Sequence, residues 1–128
     1  MRNIPQWFDE GLAVTVSEAP EFSDIQWQYL VDSNIFRPTR DELYSFKSIK
    51  QWVDAVRRYG IEKNIERKAR GEPEVAPLYT AAGHEVRAWF TKAGTPGILT
   101  LIDRLRNSWS FESAYREVNT VNDTGITQ

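Results

Sequence analysis

Apolar residues recur along this chain at steps of three and four, and clusters of turn formers divide them into short blocks. The spacing predicts a first helix from about Pro5, a favourable first-turn residue, to about Val16. Turn formers run from Ser17 to Ser23. Asp24 to Asp32 then reads as a second short segment, with Ile25, Tyr29 and Val31 available for burial. Arg37-Pro38-Thr39 breaks the chain, and Thr39-Arg40-Asp41-Glu42 has the pattern of a capping box that opens another helix. Ser48 is a further cap, and the helix from Ile49 to Tyr59 is expected to stop at Gly60. Charge dominates from Ile61 to Glu74, which reads as a helical turn or two followed by a loop at Gly71-Glu72-Pro73.

The strongest periodicity lies between Pro77 and Ala93, where Leu78, Ala82, Val86, Trp89, Phe90 and Ala93 fall on one stripe. Gly94 ends that helix, Thr95 caps the next, and Pro96 occupies its first turn. Ile98, Leu99, Ile102 and Leu105 are expected to form the buried face of this next helix. Ser110 to Tyr115 reads as a short capped helix, and Asn119 to Gln128 has little to bury. No strand pattern competes. The expectation is an all-α fold: one helical domain over residues 1–118, of about five to seven helices, with a loose tail over 119–128.

Composition narrows the functional classes. The chain has 128 residues, 41% of them hydrophobic and 27% charged, in the ordinary range for a globular domain able to bury its own core. A net charge of −2 argues against a dedicated nucleic-acid surface. The basic residues from Lys47 to Arg70 are diluted by Asp54, Glu62 and Glu66 and go around the helix, as a solvated face would. Eight acids against three basic residues up to Ser45 offset them further. No run of 18 apolar residues is present, so no membrane span is expected. No signal peptide is expected either, because Met1-Arg2-Asn3 leads straight into the first helix. Without cysteine, disulfides and thiol catalysis are excluded, but the compartment stays open. Five tryptophans, at 7, 27, 52, 89 and 109, are spread along the helices as core anchors would be.

The densest chemical signal is Ile4-Pro5-Gln6-Trp7-Phe8-Asp9-Glu10-Gly11-Leu12-Ala13. At helical spacing the neighbours of Glu10 are Trp7, Ala13 and Val14, so the carboxylate lies on an apolar stripe. An ionised carboxylate there is costly unless a cation or a set of donors meets it. The string Trp7-x-x-Glu10-Gly11-Leu12-Ala13 resembles the third-ligand helix of gluzincin-type zinc metallopeptidases, in particular the bacterial peptidase-MA-like group. That resemblance implies that Glu10 is a zinc ligand, alongside two histidines of a His-Glu-x-x-His helix whose glutamate is the base. Only nine residues precede Glu10, and they contain no histidine. The segment that would complete such a site, and any export signal of a parent protein, would therefore lie upstream. More weakly, Tyr79, Gly94, the Leu99 to Leu105 helix and Ser110-Phe111-Glu112-Ser113-Ala114-Tyr115 follow the order of the C-terminal helical region in the same group.

The single histidine, His84, stands in Gly83-His84-Glu85-Val86-Arg87-Ala88. A zincin helix needs a second histidine four positions on, and that position is Ala88, so no independent zinc site is expected. A helical wheel groups His84 with Thr80, Arg87 and Thr91 on a polar face. Metallopeptidases need a donor for the oxyanion that forms on the scissile carbonyl, and the resemblance offers His84 or Tyr79 for it.

Three functional readings follow. The chain is the C-terminal helical part of a zinc peptidase acting on peptides or proteins, inactive alone and bound to zinc only in the parent; or a stand-alone helical interaction module; or a degenerate pseudo-peptidase. A fragment should leave Trp7 and Val14 open, or covered by a second copy through an apolar patch, whereas a self-sufficient module should bury them.

Overall fold

The computed structural model describes the backbone of residues 4–127 and the side chains of residues 4–119. Every regular element among these residues is helical. In chain order they are α1 (Gln6–Ser17), a single 3₁₀ turn (Pro20–Phe22), α2 (Asp24–Asp32), α3 (Arg40–Ser45), α4 (Ile49–Val56), α5 (Glu62–Ala69), α6 (Pro77–Arg106) and α7 (Phe111–Thr127). A π turn, Arg57–Ile61, joins α4 to α5 without a break. Counting that pair as one, the described residues hold six helices, and the all-α expectation holds.

Helix starts follow their caps. Ser23 accepts from the Gln26 N–H to open α2. Thr39 with Glu42 and Ser48 with Gln51 form complete capping boxes on α3 and α4. α1 differs, because Pro5 caps it and has no side chain to offer. Its first donors go instead to backbone carbonyls between α3 and α4: Gln6 N–H to Lys47 O at 2.8 Å and Trp7 N–H to Phe46 O at 3.1 Å. These bonds satisfy two of the four orphan N–H groups and fix where α1 begins.

Helix ends depend on left-handed residues. Asn34, Gly71 and Ser108 have φ of 52°, 73° and 67°. At each, the next residue's N–H returns to a carbonyl five positions back: Ile35 to Leu30, Glu72 to Arg67, Trp109 to Arg104. This is the Schellman closure. At Gly94 (φ 62°, ψ −177°) α6 breaks, with Pro96 in the first turn beyond, as the sequence predicts.

The described chain divides into two units, Pro5–Val86 and a second that begins at Arg87. In the first unit Trp7, Phe8, Val14, Leu30, Leu43, Trp52, Tyr59, Leu78, Ala82 and Val86 are buried. In the second, Trp89, Leu101, Phe111, Ala114, Tyr115 and Val118 are buried. Trp89 stacks on Tyr115 at 5.4 Å, and Tyr115 on Phe111 at 5.2 Å. Arg104 grips both oxygens of Glu117 at 2.9 and 3.2 Å.

Several expectations are corrected. In α2 the buried residue is Leu30, while Ile25 is 81% exposed and Tyr29 and Val31 lie at the surface. In the part of α6 beyond Gly94, Leu101 is buried, Ile98, Ile102 and Leu105 are half-buried, and Leu99 points outward. Gly60 does not stop its helix. The π turn absorbs one extra residue there, keeps Tyr59 inward, and lets the charged segment continue to Ala69. Thr80, assigned to the polar face, is buried. Of the tryptophans, Trp27 is half-buried and Trp109 is 40% exposed. The backbone of α7 runs to Thr127, past the short helix expected from Ser110. The tail side chains from residue 120, and all of Gln128, lie outside the described residues.

Candidate functional site

Glu10 sits midway along α1, and its neighbours divide the work. Trp7 and Val14 are buried, Trp7 with its ring 4.8 Å from that of Tyr44. Gly11 faces α6 so closely that a Cβ there would lie 2.5 Å from Ala82 O and 2.6 Å from Val86 Cγ2. Backbone contact of that kind needs glycine. Leu12 is half-buried and Ala13 exposed. Glu10 stays half-exposed at the edge of this packing, with Oε1 accepting from Gln6 Nε2 at 2.9 Å. Its apolar stripe is therefore only partly real: two of the three predicted neighbours turn into the core and leave the carboxylate in reach of water.

His84 is not beside Glu10. It stands two residues after Ala82 and two before Val86, which both face Gly11, so it points to the other side of α6. There its ring lies flat on Trp27 (centroids 4.6 Å apart, 12° between planes), and Nδ1 is 3.1 Å from Asp24 Oδ1. Tyr79 is elsewhere again, its ring stacked on Phe22 at 5.5 Å and edge-on to Trp52 at 5.3 Å. The three residues singled out in the sequence do not converge.

Next to His84 is a group that sequence reasoning missed. Glu85 is a nearly buried carboxylate that accepts from the Tyr44 hydroxyl and pairs with Arg40 Nε at 3.0 Å. A signal existed: Glu85 is the only charge among Ala81, Ala82 and Val86 on the inward side of α6. Buried charge demands partners, and here a phenol and a guanidinium supply them.

A second polar network joins α3 to the π turn. Tyr59 donates to Glu42 Oε2 at 2.6 Å. Burial, followed by the Glu42 carboxylate, pushes the Tyr59 phenol up to about 12. The backbone N–H of Thr39 and then the Tyr59 hydroxyl hold the Glu42 carboxyl below its ordinary value.

A catalytic zinc takes three protein ligands. Among the described residues, no group of three or more His, Cys, Asp or Glu is placed to hold a metal ion. Glu10 offers one carboxylate, and His84 is held on the opposite side of α6 from α1. These residues do not by themselves fit a zinc site. No helix among them is long and apolar enough to cross a membrane. Comparisons with protein-family models, with curated proteins and with solved structures find no match.

Proposed function

We propose that this chain is the C-terminal helical portion of a gluzincin-like zinc-dependent peptidase, presenting Glu10 as one ligand to a metal whose other ligands lie outside it. The reading rests on the position of Glu10 in the Trp7-x-x-Glu10-Gly11 motif. Gly11 packs against α6, and α1 is pinned at its first turn by Lys47 and Phe46 carbonyls. Glu10 alone takes no part in the core and is held by a single neutral amide. A rigid helix offering an accessible carboxylate is what a ligand contributed across a domain boundary requires. Peptides or proteins are the implied substrates, and the chain is inactive alone.

Burial of Trp7 and Val14 favours a second reading. The open apolar patch expected of a fragment is missing at these two residues, so α1 needs no outside partner to cover them. This supports a self-sufficient helical module, or a pseudo-peptidase in which the motif survives as a packing element.

One experiment separates the two. Zinc stoichiometry is measured on the chain extended by the coding sequence upstream in its gene, beside its Glu10→Gln variant. One zinc per chain, lost or much weakened in the variant, supports the peptidase reading. No zinc in either protein rejects it.

A further inference from the structure

A cleft of about 330 Å³ opens between the C-terminal end of α2, the π turn and the end of α5; Glu10 is not part of it. That volume is at the lower bound of small-molecule sites. Its lining includes Ile35, Val75 and Phe36, the last 43% exposed, stacked on Tyr59 at 4.6 Å and with Lys63 Nζ 5.4 Å and Arg58 Cζ 5.7 Å from its ring centroid. The lining also carries Lys63, Arg67 and Arg70 with Glu66 and Glu72, and three cations against two carboxylates leave one positive charge.

Arg67 is the unusual member. It is 7% exposed, with Nε donating to Pro73 O at 2.7 Å, Nη2 to the Tyr29 hydroxyl at 3.3 Å, and Nη1 lying 3.2 Å from Glu72. A guanidinium has five N–H donors, so these three contacts leave it capacity for more. Arg70 meets the same Glu72 from the far side, with Nε–Oε1 at 2.7 Å and Nη2–Oε2 at 3.5 Å. Glu72 is thus a carboxylate held between two arginines at the rim of a cleft. Its backbone is fixed by the Schellman closure at Gly71, in which its own N–H donates to Arg67 O. Near the ends of the two flanking helices, the carbonyls of Leu30, Val31, Arg67 and Lys68 accept backbone N–H groups.

We infer that this cleft binds a small organic carboxylate with an apolar or aromatic body. The ligand carboxylate takes the position that Glu72 occupies against Arg67 and Arg70, and the body lies on Ile35, Phe36 and Val75. Glu72 is the built-in competitor. The same side chain that completes the clasp in the empty protein must yield to the ligand.

The test is a nuclear magnetic resonance titration of the isotope-labelled full chain with benzoate, following the Nε–H signals of Arg67 and Arg70 and the ring of Phe36. Saturable shifts at these three residues are expected. Removing the competing charge in Glu72→Gln should tighten benzoate binding about tenfold, in line with the strength of charge-assisted hydrogen bonds. Arg70→Gln, at an exposed position, should abolish binding while the backbone spectrum is otherwise unchanged. The inference is overturned if neither the natural protein nor Glu72→Gln gives saturable shifts there, or if the two bind equally well. Benzyl alcohol binding as tightly as benzoate would overturn the role of charge, and tighter binding of phenyl phosphate would overturn the carboxylate assignment. None of these outcomes depends on zinc or on Glu10.

Discussion

Gly11 shows how one residue sets a helix contact. A glycine inside a helix costs about 1 kcal/mol relative to alanine, and here the loss is offset by letting α1 touch the α6 backbone at Ala82. Gly11→Ala should destabilise the protein by about 1–3 kcal/mol through overpacking, read as a lower urea midpoint at unchanged slope. An unchanged midpoint would mean that the two helices are not in that contact. Tyr59 makes a pH prediction. Its phenol is raised from 10.0 to about 12, so the neutral form is favoured in the folded state. The resulting stability is full below pH 10 and is lost as pH rises through 12. One tyrosine should therefore ionise late in an ultraviolet phenolate titration, and Tyr59→Phe should flatten the alkaline loss of stability. Glu42 acts in the opposite direction: its carboxyl lies below 4.5, so its contribution is present above that pH and fades on acidification. Glu42→Gln should remove that share of the acid sensitivity.

At the scale of elements, the capping boxes and the π turn carry the predictions. Thr39→Ala removes the hydroxyl that accepts from Glu42 N–H, and Ser48→Ala removes the one that accepts from Gln51 N–H. Each should cost about 1 kcal/mol. Gly60 gives the contrary case. It lies inside a continuous helix, has no positive φ, and a Cβ there meets nothing within 4 Å. Gly60→Ala should therefore stabilise by about 0.5–1 kcal/mol through helix propensity, where a helix-stop glycine would have destabilised. Thermal unfolding of the two alanine series distinguishes these signs. Sequence reasoning placed the Thr39 capping box, the cap at Ser48 and the break at Gly94 because each is a local pattern with a local cause. It misjudged Gly60 because glycine followed by charge signals a helix end, whereas here a π turn takes in one extra residue and the helix continues into α5.

For the whole molecule, burial is the informative quantity. With Trp7 and Val14 covered by their own chain, the 128-residue protein should show strong near-ultraviolet circular dichroism and lose it cooperatively on heating. A weak, featureless signal would mean that α1 needs a further segment to pack. The salt bridges will contribute little, since Lys50–Asp54, Arg57–Asp54 and Lys63–Glu66 are exposed pairs with separations of 3.5–3.9 Å. Arg67 is the exception among the basic residues from Lys47 to Arg70: sequence pattern assigned them all to a solvated face, and the fold draws this one inward.

Periodicity and caps determine which stretches of this chain are helical, because those preferences are settled within a few residues. The helix that carries Glu10 was legible for the same reason: Trp7, Glu10 and Gly11 fall on neighbouring positions of it. Which side chains meet was decided only by tertiary packing. Leu30 rather than Ile25 turns inward, His84 lies on Trp27 away from Glu10, and Glu85 is enclosed by Tyr44 and Arg40. Each outcome depends on the rotation of a helix about its own axis against a neighbour distant in sequence, and local propensity carries no information about that rotation.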